Sequence, residues 1–150
     1  MKKIVTAGFL LLISNLLFAQ LQNPVSWTTT AKRISDKTYE IHLTANIQSG
    51  WHIYSQTTPD GGPIPTSITY AKNPLLTFMG KAKEVGKLEK HAEPLFGVDV
   101  EQFSNKVDFV QLVKLKANVK TSADVAVEFM VCNNRQCLPP TTKKFTVALK

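Results

Sequence analysis

Two cysteines, Cys132 and Cys137, are the residues whose type and spacing could do chemistry, and the sequence contains no others. Four polar residues, 133–136, separate them. A thiol pair this close can form a disulfide that acts as a staple, or one that opens and closes in thiol-disulfide exchange. As a staple it would be weak, because closing so short a loop contributes only about 2 kcal/mol, below the roughly 3 kcal/mol of a 15-residue loop. The spacing alone leaves both interpretations open.

The segments on either side of the pair have the pattern of β-strands. Residues 124–131 alternate Val and Phe with Ala, Glu and Met, and residues 145–149 alternate in the same way. We therefore expect the cysteines at or near the connection between two strands, where the Asn-Asn pair between them can adopt turn conformations. Pro139 and Pro140 follow and remove two backbone donors, which favours a position at the rim of a sheet.

Other chemistry finds little support in the residue pattern. The three histidines, His42, His52 and His91, are widely spaced, so no zinc site with the cysteines is predicted, and each taken singly has a structural interpretation. A Cu(I) site built from the cysteine pair with Met130 or a histidine is a chemically allowed alternative, since soft thiolates prefer that ion. No base is placed beside a nucleophile as a hydrolase would require. We therefore predict no metal and no cofactor.

The N-terminus has the pattern of an export signal. Lys2 and Lys3 precede an apolar run over residues 4–18, and Ala19 follows it. The run is short for a membrane span, so we predict a cleavable signal peptide over residues 1–19, with an uncleaved N-terminal anchor as the alternative. Export would place the two thiols where disulfides form and persist.

The rest of the chain predicts one domain over residues 20–150, long enough to bury a core without the help of a disulfide. Its net charge falls from +7 to +5 when Lys2 and Lys3 are removed, and the remaining lysines are scattered along alternating segments. Without a basic stripe, nucleic acid is not an expected partner. No later apolar stretch is long enough to span a membrane.

Short alternating segments separated by turn residues, with no helical period, predict an all-β fold. We expect an immunoglobulin-like antiparallel β-sandwich, with a closed barrel as the alternative. Two stretches are predicted to be irregular because of their Pro and Gly residues, 56–65 and 91–97. The predicted extended segments are residues 25–33, 38–48, 51–54, 66–71, 75–80, 83–90, 106–120, 124–131 and 145–149.

The second irregular stretch contains Leu95 and Phe96, apolar residues for which a plain solvent loop has little use. One interpretation is that they cover an apolar surface. The other is that Phe96 is a core residue at the start of a strand.

Three segments together resemble the N-terminal periplasmic domain of the DsbD thiol:disulfide interchange proteins. They are the Gly-Trp-His-Ile-Tyr run of residues 50–54, the Gly-Gly-Pro-Ile-Pro-Thr run of residues 61–66, and residues 131–140, which contain both cysteines and the Pro-Pro pair. The resemblance implies an immunoglobulin-like domain in the periplasm and a component of the protein-disulfide reductase type. Its partners would be a membrane-embedded thiol reductase or thioredoxin-like proteins on one side and exported client disulfide proteins on the other.

Residue by residue, the resemblance makes Cys132 and Cys137 the active pair and Cys137 the residue that forms mixed disulfides with partners. Tyr54 matches an aromatic residue that lines the pair, and His52 falls beside it in the same active-site wall.

The stretch of residues 93–97 resembles the family's cap loop, which lies over the sulfurs and opens for a partner. Glu93, Leu95 and Phe96 are then the cap residues, and Leu95 and Phe96 are expected to pack toward the cysteines.

The sequence departs from the family in three respects. The acidic pair often found in the family's cap is reduced here to Glu93. The loop between the cysteines is one residue shorter than in the best-known members. The chain ends at Lys150, whereas full-length members continue into a membrane domain and a thioredoxin-like domain. We therefore expect either that the electron donor is a separate protein or that the domain serves some other exchange. The alternative function is a non-redox β-sandwich for binding or adhesion, in which the disulfide is a structural hairpin bridge.

Overall fold

The computed structural model describes residues 22–150, all of whose regular structure is β-strand. The predicted signal peptide, residues 1–19, lies outside these residues. The strands are β1 Val25–Ser35, β2 Thr38–Ile47, β3 His52–Tyr54, β4 Ser67–Tyr70, β5 Leu76–Glu93, β6 Val98–Leu115, β7 Thr121–Phe129, β8 Val131–Cys132 and β9 Thr141–Leu149.

The strands form two antiparallel sheets. One is six-stranded, in the order β1-β2-β6-β3-β8 with β5 also paired to β6, and the other is three-stranded, in the order β4-β7-β9. The prediction of an all-β, immunoglobulin-like sandwich is confirmed. Two separate sheets with free edges exclude the closed barrel.

The main core lies between the sheets and is built by alternation along the strands. In β2 every second residue from Tyr39 to Ile47 is buried, and in β7 the same holds from Ala123 to Phe129. Trp27 packs from β1 against the rings of Phe109 and Phe129, with centroid distances of 6.0 and 5.2 Å. Fully burying one such large apolar side chain contributes about 1.5–3 kcal/mol. Neither cysteine belongs to this core, so its burial does not depend on the disulfide.

The single strand predicted before the cysteines is two strands in the structure. The predicted segment 124–131 is β7 and β8, and between them, at Met130, the chain crosses from the three-stranded to the six-stranded sheet. The cysteine turn therefore lies at the rim of the sandwich.

In the β5–β6 hairpin, by contrast, two predicted segments are one strand in the structure. The predicted segments 75–80 and 83–90 are one strand, β5, which continues to Glu93, and β6 begins already at Val98. Its pairing shifts register between Met79 and Lys83 and again between Gly86 and Leu88, so the glycines produce bulges and do not end the strand. Only residues 94–97 remain as the hairpin turn, whereas the predicted irregular stretch 56–65 lies between β3 and β4 without a strand, as expected.

Candidate functional site

The two sulfurs are joined in a disulfide across a tight turn. Cys132 ends β8 and pairs with Cys137 in an isolated antiparallel bridge, with 4.0 Å between their Cα atoms. The side chain of Asn133 organises the turn, since its Oδ1 accepts the backbone N–H groups of Arg135 and Gln136, each at 2.9 Å. The Asn133 N–H in turn donates to the Gln136 carbonyl at 2.9 Å. A turn in which the Asn side chain binds its own backbone is the conformation that this residue type favours.

The cysteines face away from the main core. Val131 and Ile53, a cross-strand pair of β8 and β3, are buried in that core. The next residues of the two strands, Cys132 and His52, are also opposite each other, and neighbouring residues of a strand point to opposite faces. The disulfide therefore lies on the outer face of the six-stranded sheet, where Cys132 forms a second buried cluster with Tyr54 and Val100, and Val98, Met130 and Cys137 pack against it.

Exposure distinguishes the two cysteines. Cys132 is completely buried, whereas Cys137 is partly exposed. Pro139 and Pro140 beside it are exposed, in agreement with the expected rim position. A reagent or a partner that approaches from solvent meets Cys137 first.

Three buried polar side chains lie against this cluster. The Tyr54 hydroxyl donates to Oε2 of Glu93 at 3.1 Å, and Nε2 of His52 is 3.1 Å from the same hydroxyl and 3.5 Å from Oε2. The His52 and Tyr54 rings meet edge to face, with 5.3 Å between their centroids. The structure thus brings together the two predicted wall residues and one predicted cap residue in a single hydrogen-bonded network, which we call the His-Tyr-Glu network.

The surroundings change the proton affinities of this network. Burial lowers the pKa of His52 below its ordinary value of 6.5, although the neighbouring Glu93 opposes part of that effect. Burial and the same carboxyl group raise the pKa of the Tyr54 hydroxyl, so it stays a donor. At neutral pH the network therefore contains a neutral imidazole and a protonated phenol.

Glu93 also organises the turn of the β5–β6 hairpin. Its Oε1 accepts the Leu95 N–H at 3.3 Å, and its carbonyl accepts the N–H groups of Phe96 and Gly97 at 3.1 and 2.8 Å. Gly97 has a φ of 68°, the left-handed conformation that glycine adopts without strain. Leu95 and Phe96 are 48% and 37% exposed. The interpretation of Phe96 as a core residue is therefore wrong, and neither apolar cap residue belongs to the buried cluster around Cys132.

Two residues that complete the cluster, Val98 and Val100, were not singled out in the sequence. Val98 and Val100 follow Gly97 at every second position, a strand signal that would have placed β6 earlier. The irregular stretch 56–65 packs beside them, because a Cβ atom built on Gly62 would lie 2.7 Å from Cγ2 of Val98. The second motif of the family resemblance thus forms part of the wall behind the disulfide.

The other two histidines have carboxylate partners of their own. His42 binds Asp108 at 2.7 Å, across β2 and β6, and His91 is 55% exposed on β5. Among residues 22–150 no three His, Cys, Asp or Glu side chains are grouped as metal ligands. Both sulfurs are used in the disulfide, which leaves no thiolate for the alternative Cu(I) site in this state. In the same part of the chain no helix is long and apolar enough to cross a membrane.

The domain is thus a β-sandwich whose disulfide lies outside the main core. The chain belongs to the family of N-terminal domains of the thiol:disulfide interchange protein DsbD, whose family model matches residues 20–149. A comparison with curated proteins finds no match.

Two solved structures share the fold. One is the N-terminal periplasmic domain of ScsB from Proteus mirabilis, with a TM-score of 0.57 and 14% identity over 85% of this chain and 47% of that chain. The other is the complex between the DsbD and PilB N-terminal domains from Neisseria meningitidis, with a TM-score of 0.51 and 14% identity over 85% of this chain and 87% of that chain. The chain thus spans about half the length (47%) of the ScsB chain that it matches.

Proposed function

We propose that this domain relays reducing equivalents through Cys132 and Cys137 to other exported thiol proteins. The single observation that carries the proposal is the disulfide's position: it lies on the outer face of its sheet, in a cluster separate from the main core, with one cysteine buried and the other accessible. A bridge needed for folding would be expected within the core or across long loops. This one closes a short turn at the rim.

In the proposed reaction the accessible residue, Cys137, attacks first. Its thiolate displaces one sulfur of a client disulfide and forms a mixed disulfide, and the buried Cys132 then attacks Cys137 and releases the reduced client. The domain is left with the disulfide seen in the structure. A protein partner is too large to reach the buried Cys132 and can contact only Cys137. This agrees with the role that the family resemblance assigns to Cys137.

The oxidised domain must then be reduced by a second thiol protein. A membrane-embedded thiol reductase or a thioredoxin-like protein fits this role, since each offers a dithiol. A related DsbD N-terminal domain forms a complex with the PilB N-terminal domain, and this supports a protein partner at the site. We place the reaction in the periplasm, on the basis of the expected signal peptide and of the periplasmic relative from Proteus mirabilis.

We further propose that the turn of the β5–β6 hairpin is a removable cap. Glu93 anchors its base through the His-Tyr-Glu network, whereas Leu95 and Phe96 are 48% and 37% exposed and belong to neither buried cluster. Such a turn can move without unpacking the core, and its two apolar side chains can contact a docked partner.

Trapping of mixed disulfides tests the exchange function. Cys132→Ala removes the resolving thiol, so complexes with client proteins should accumulate on Cys137 in the compartment where the protein resides, and mass spectrometry identifies the linked residue. Cys137→Ala is the matched control and should trap far less, because Cys132 is buried. Stronger trapping by Cys137→Ala, with the partner linked to Cys132, would reverse the assignment and leave the exchange chemistry standing. A folded Cys132→Ala variant that traps nothing would favour the non-redox binding module.

A further inference from the structure

The resolving step of this reaction requires a proton acceptor inside the buried cluster. Cys132 is 0% exposed, so bulk water cannot take its proton directly when its sulfur attacks Cys137. A buried thiol in apolar surroundings also ionises less readily than an exposed one. The group that receives this proton must therefore lie on the same face of the sheet and be free to bind it.

His52 has the required position. It is directly opposite Cys132 in the β3–β8 pairing, and the two side chains point to the same face. Cα atoms of opposite residues in an antiparallel pair are roughly 4.5–5.5 Å apart, within the reach of an imidazole and a thiol.

The hydrogen bonds of the His-Tyr-Glu network also leave the correct nitrogen free. The Tyr54 hydroxyl has one proton and donates it to Glu93, so Nε2 of His52 must be the donor in its contact with the Tyr54 oxygen. In the neutral imidazole the lone pair then lies on Nδ1, which makes no hydrogen bond to any residue from 22 to 150. The neutral form prevails at neutral pH, because burial lowers the pKa of His52.

We propose that His52 is the general base of the resolving step, and that Glu93 and Tyr54 orient it. The inference rests on the proposed function. In the step, the Cys132 thiol gives its proton to Nδ1 of His52 while its sulfur attacks the Cys137 sulfur of the mixed disulfide. The Cys132–Cys137 bond forms, the bond from Cys137 to the client breaks, and the client sulfur leaves with the electron pair. The domain's dithiol is oxidised, the client disulfide is reduced, and the imidazolium returns its proton to the client thiolate or to water.

Charge stabilisation explains why the network would serve this purpose. The imidazolium formed in the step would lie 3.5 Å from the Glu93 carboxylate and would keep its hydrogen bond to Tyr54. The other charged or titratable groups that act on His52 are Glu89, which favours the protonated ring, and His91, which disfavours it. A base whose charged form is held by an oriented carboxylate follows the same logic as a nucleophile–histidine–carboxylate arrangement.

Single-turnover kinetics with dipyridyl disulfide test the proposal on the full chain. The reduced protein should release one pyridinethione when Cys137 attacks and a second when Cys132 resolves the mixed disulfide. Cys132→Ala should give only the first release. His52→Gln keeps a donor toward Tyr54 but cannot accept the proton, so we expect the second release at neutral pH to slow by at least about tenfold, with the first unchanged. His42→Gln, which alters a histidine–carboxylate pair away from the cluster, should change neither release.

The pH profile separates a base from a structural residue. In the wild type, the second release should slow as the pH falls through the value at which the His52 ring titrates, and NMR of the dithiol form gives that value independently of any variant. The His52→Gln profile should lack this midpoint, and the deficit should shrink at high pH, where hydroxide competes as base.

Three results would overturn the inference: a second release in His52→Gln that matches the wild type at all pH values, an equal slowing of both releases, or a kinetic midpoint that differs from the His52 titration. In each case two releases from the wild type leave the proposed function intact. A reduced and folded wild type that releases no second equivalent would instead refute the exchange function itself.

Discussion

The inner and outer faces of strands β3 and β8 perform different tasks. Ile53 and Val131 point inward and are part of the large core between the sheets. Their neighbours His52 and Cys132 point outward, into a small cluster with polar residues and a disulfide. We therefore expect stability to come mainly from the inner face and the proposed exchange chemistry from the outer face, so that changes to one face should have little effect on the other. The following experiments can break or sharpen this comparison.

The largest effect is expected from the inner face. Phe109 is completely buried and stacks on Trp27, so Phe109→Ala should lower the free energy of unfolding by about 3–5 kcal/mol. Urea denaturation of the oxidised protein measures this loss. Under native conditions, the thiols of the reduced and folded variant should react at the same rate as those of the reduced wild type. A changed thiol reactivity would show that the two faces are coupled.

Reduction of the disulfide should have a smaller effect. Opening a bridge over so short a loop removes about 2 kcal/mol, which leaves the main core intact. Urea denaturation with and without reductant measures the difference, and the Cys132→Ser, Cys137→Ser double variant should match the reduced form. Unfolding of the reduced form at moderate temperature would make the disulfide a staple and remove the main support for exchange.

A moderate pH dependence should come from the His-Tyr-Glu network. The pKa of His52 is lower in the folded than in the unfolded chain, so between the two values the unfolded chain binds more protons. Stability is then fully present above the unfolded value of 6.5 and is lost as the pH falls from there toward the folded value. His52→Gln should remove this part of the pH dependence. Urea denaturation at several pH values compares the two slopes, and identical slopes would show that His52 does not contribute.

The smallest effect on stability is expected at the cap. Leu95 and Phe96 are exposed, so replacing both with Ala should change the free energy of unfolding by no more than about 0.5 kcal/mol. The cap proposal nevertheless predicts that the reduced pair reacts faster with a small thiol reagent, because the truncated cap would shield Cys137 less. Met79→Ala, at a residue 50% exposed elsewhere on β5, is the matched control. Loss of several kcal/mol without faster reaction would refute the cap proposal.

The sequence predicted the sandwich and the cysteine turn because both depend on local signals. Alternation along β2 and β7 gave the strands, and the asparagines and prolines around the cysteines gave the turn at the rim. The family resemblance added the wall residues His52 and Tyr54, which no local pattern singles out, whereas the role of residues 93–97 as a cap stays a prediction.

The change of sheet at Met130, the second cluster and the bulges of β5 could not be predicted, because they depend on how the strands pack and pair in three dimensions. Residues 124–131 alternate without interruption, yet the strand changes sheet at Met130, since the inner faces of both sheets meet the same core. In β3 all three residues are buried, so periodicity cannot show that His52 and Tyr54 belong to a second cluster. A break was expected after Gly80, but pairing with the long β6 continues past the bulge there and past a second bulge near Gly86.

The reduction potential of the Cys132–Cys137 pair tests the central claim most directly. Equilibration of the folded protein with graded thiol-disulfide buffers, followed by quantification of the two thiols, gives its value. We expect a potential above about −300 mV, in the range where other thiol proteins can reduce and oxidise the pair, with both forms folded. A potential below about −300 mV would mark the pair as a structural disulfide and contradict the assignment of exchange chemistry to the outer face.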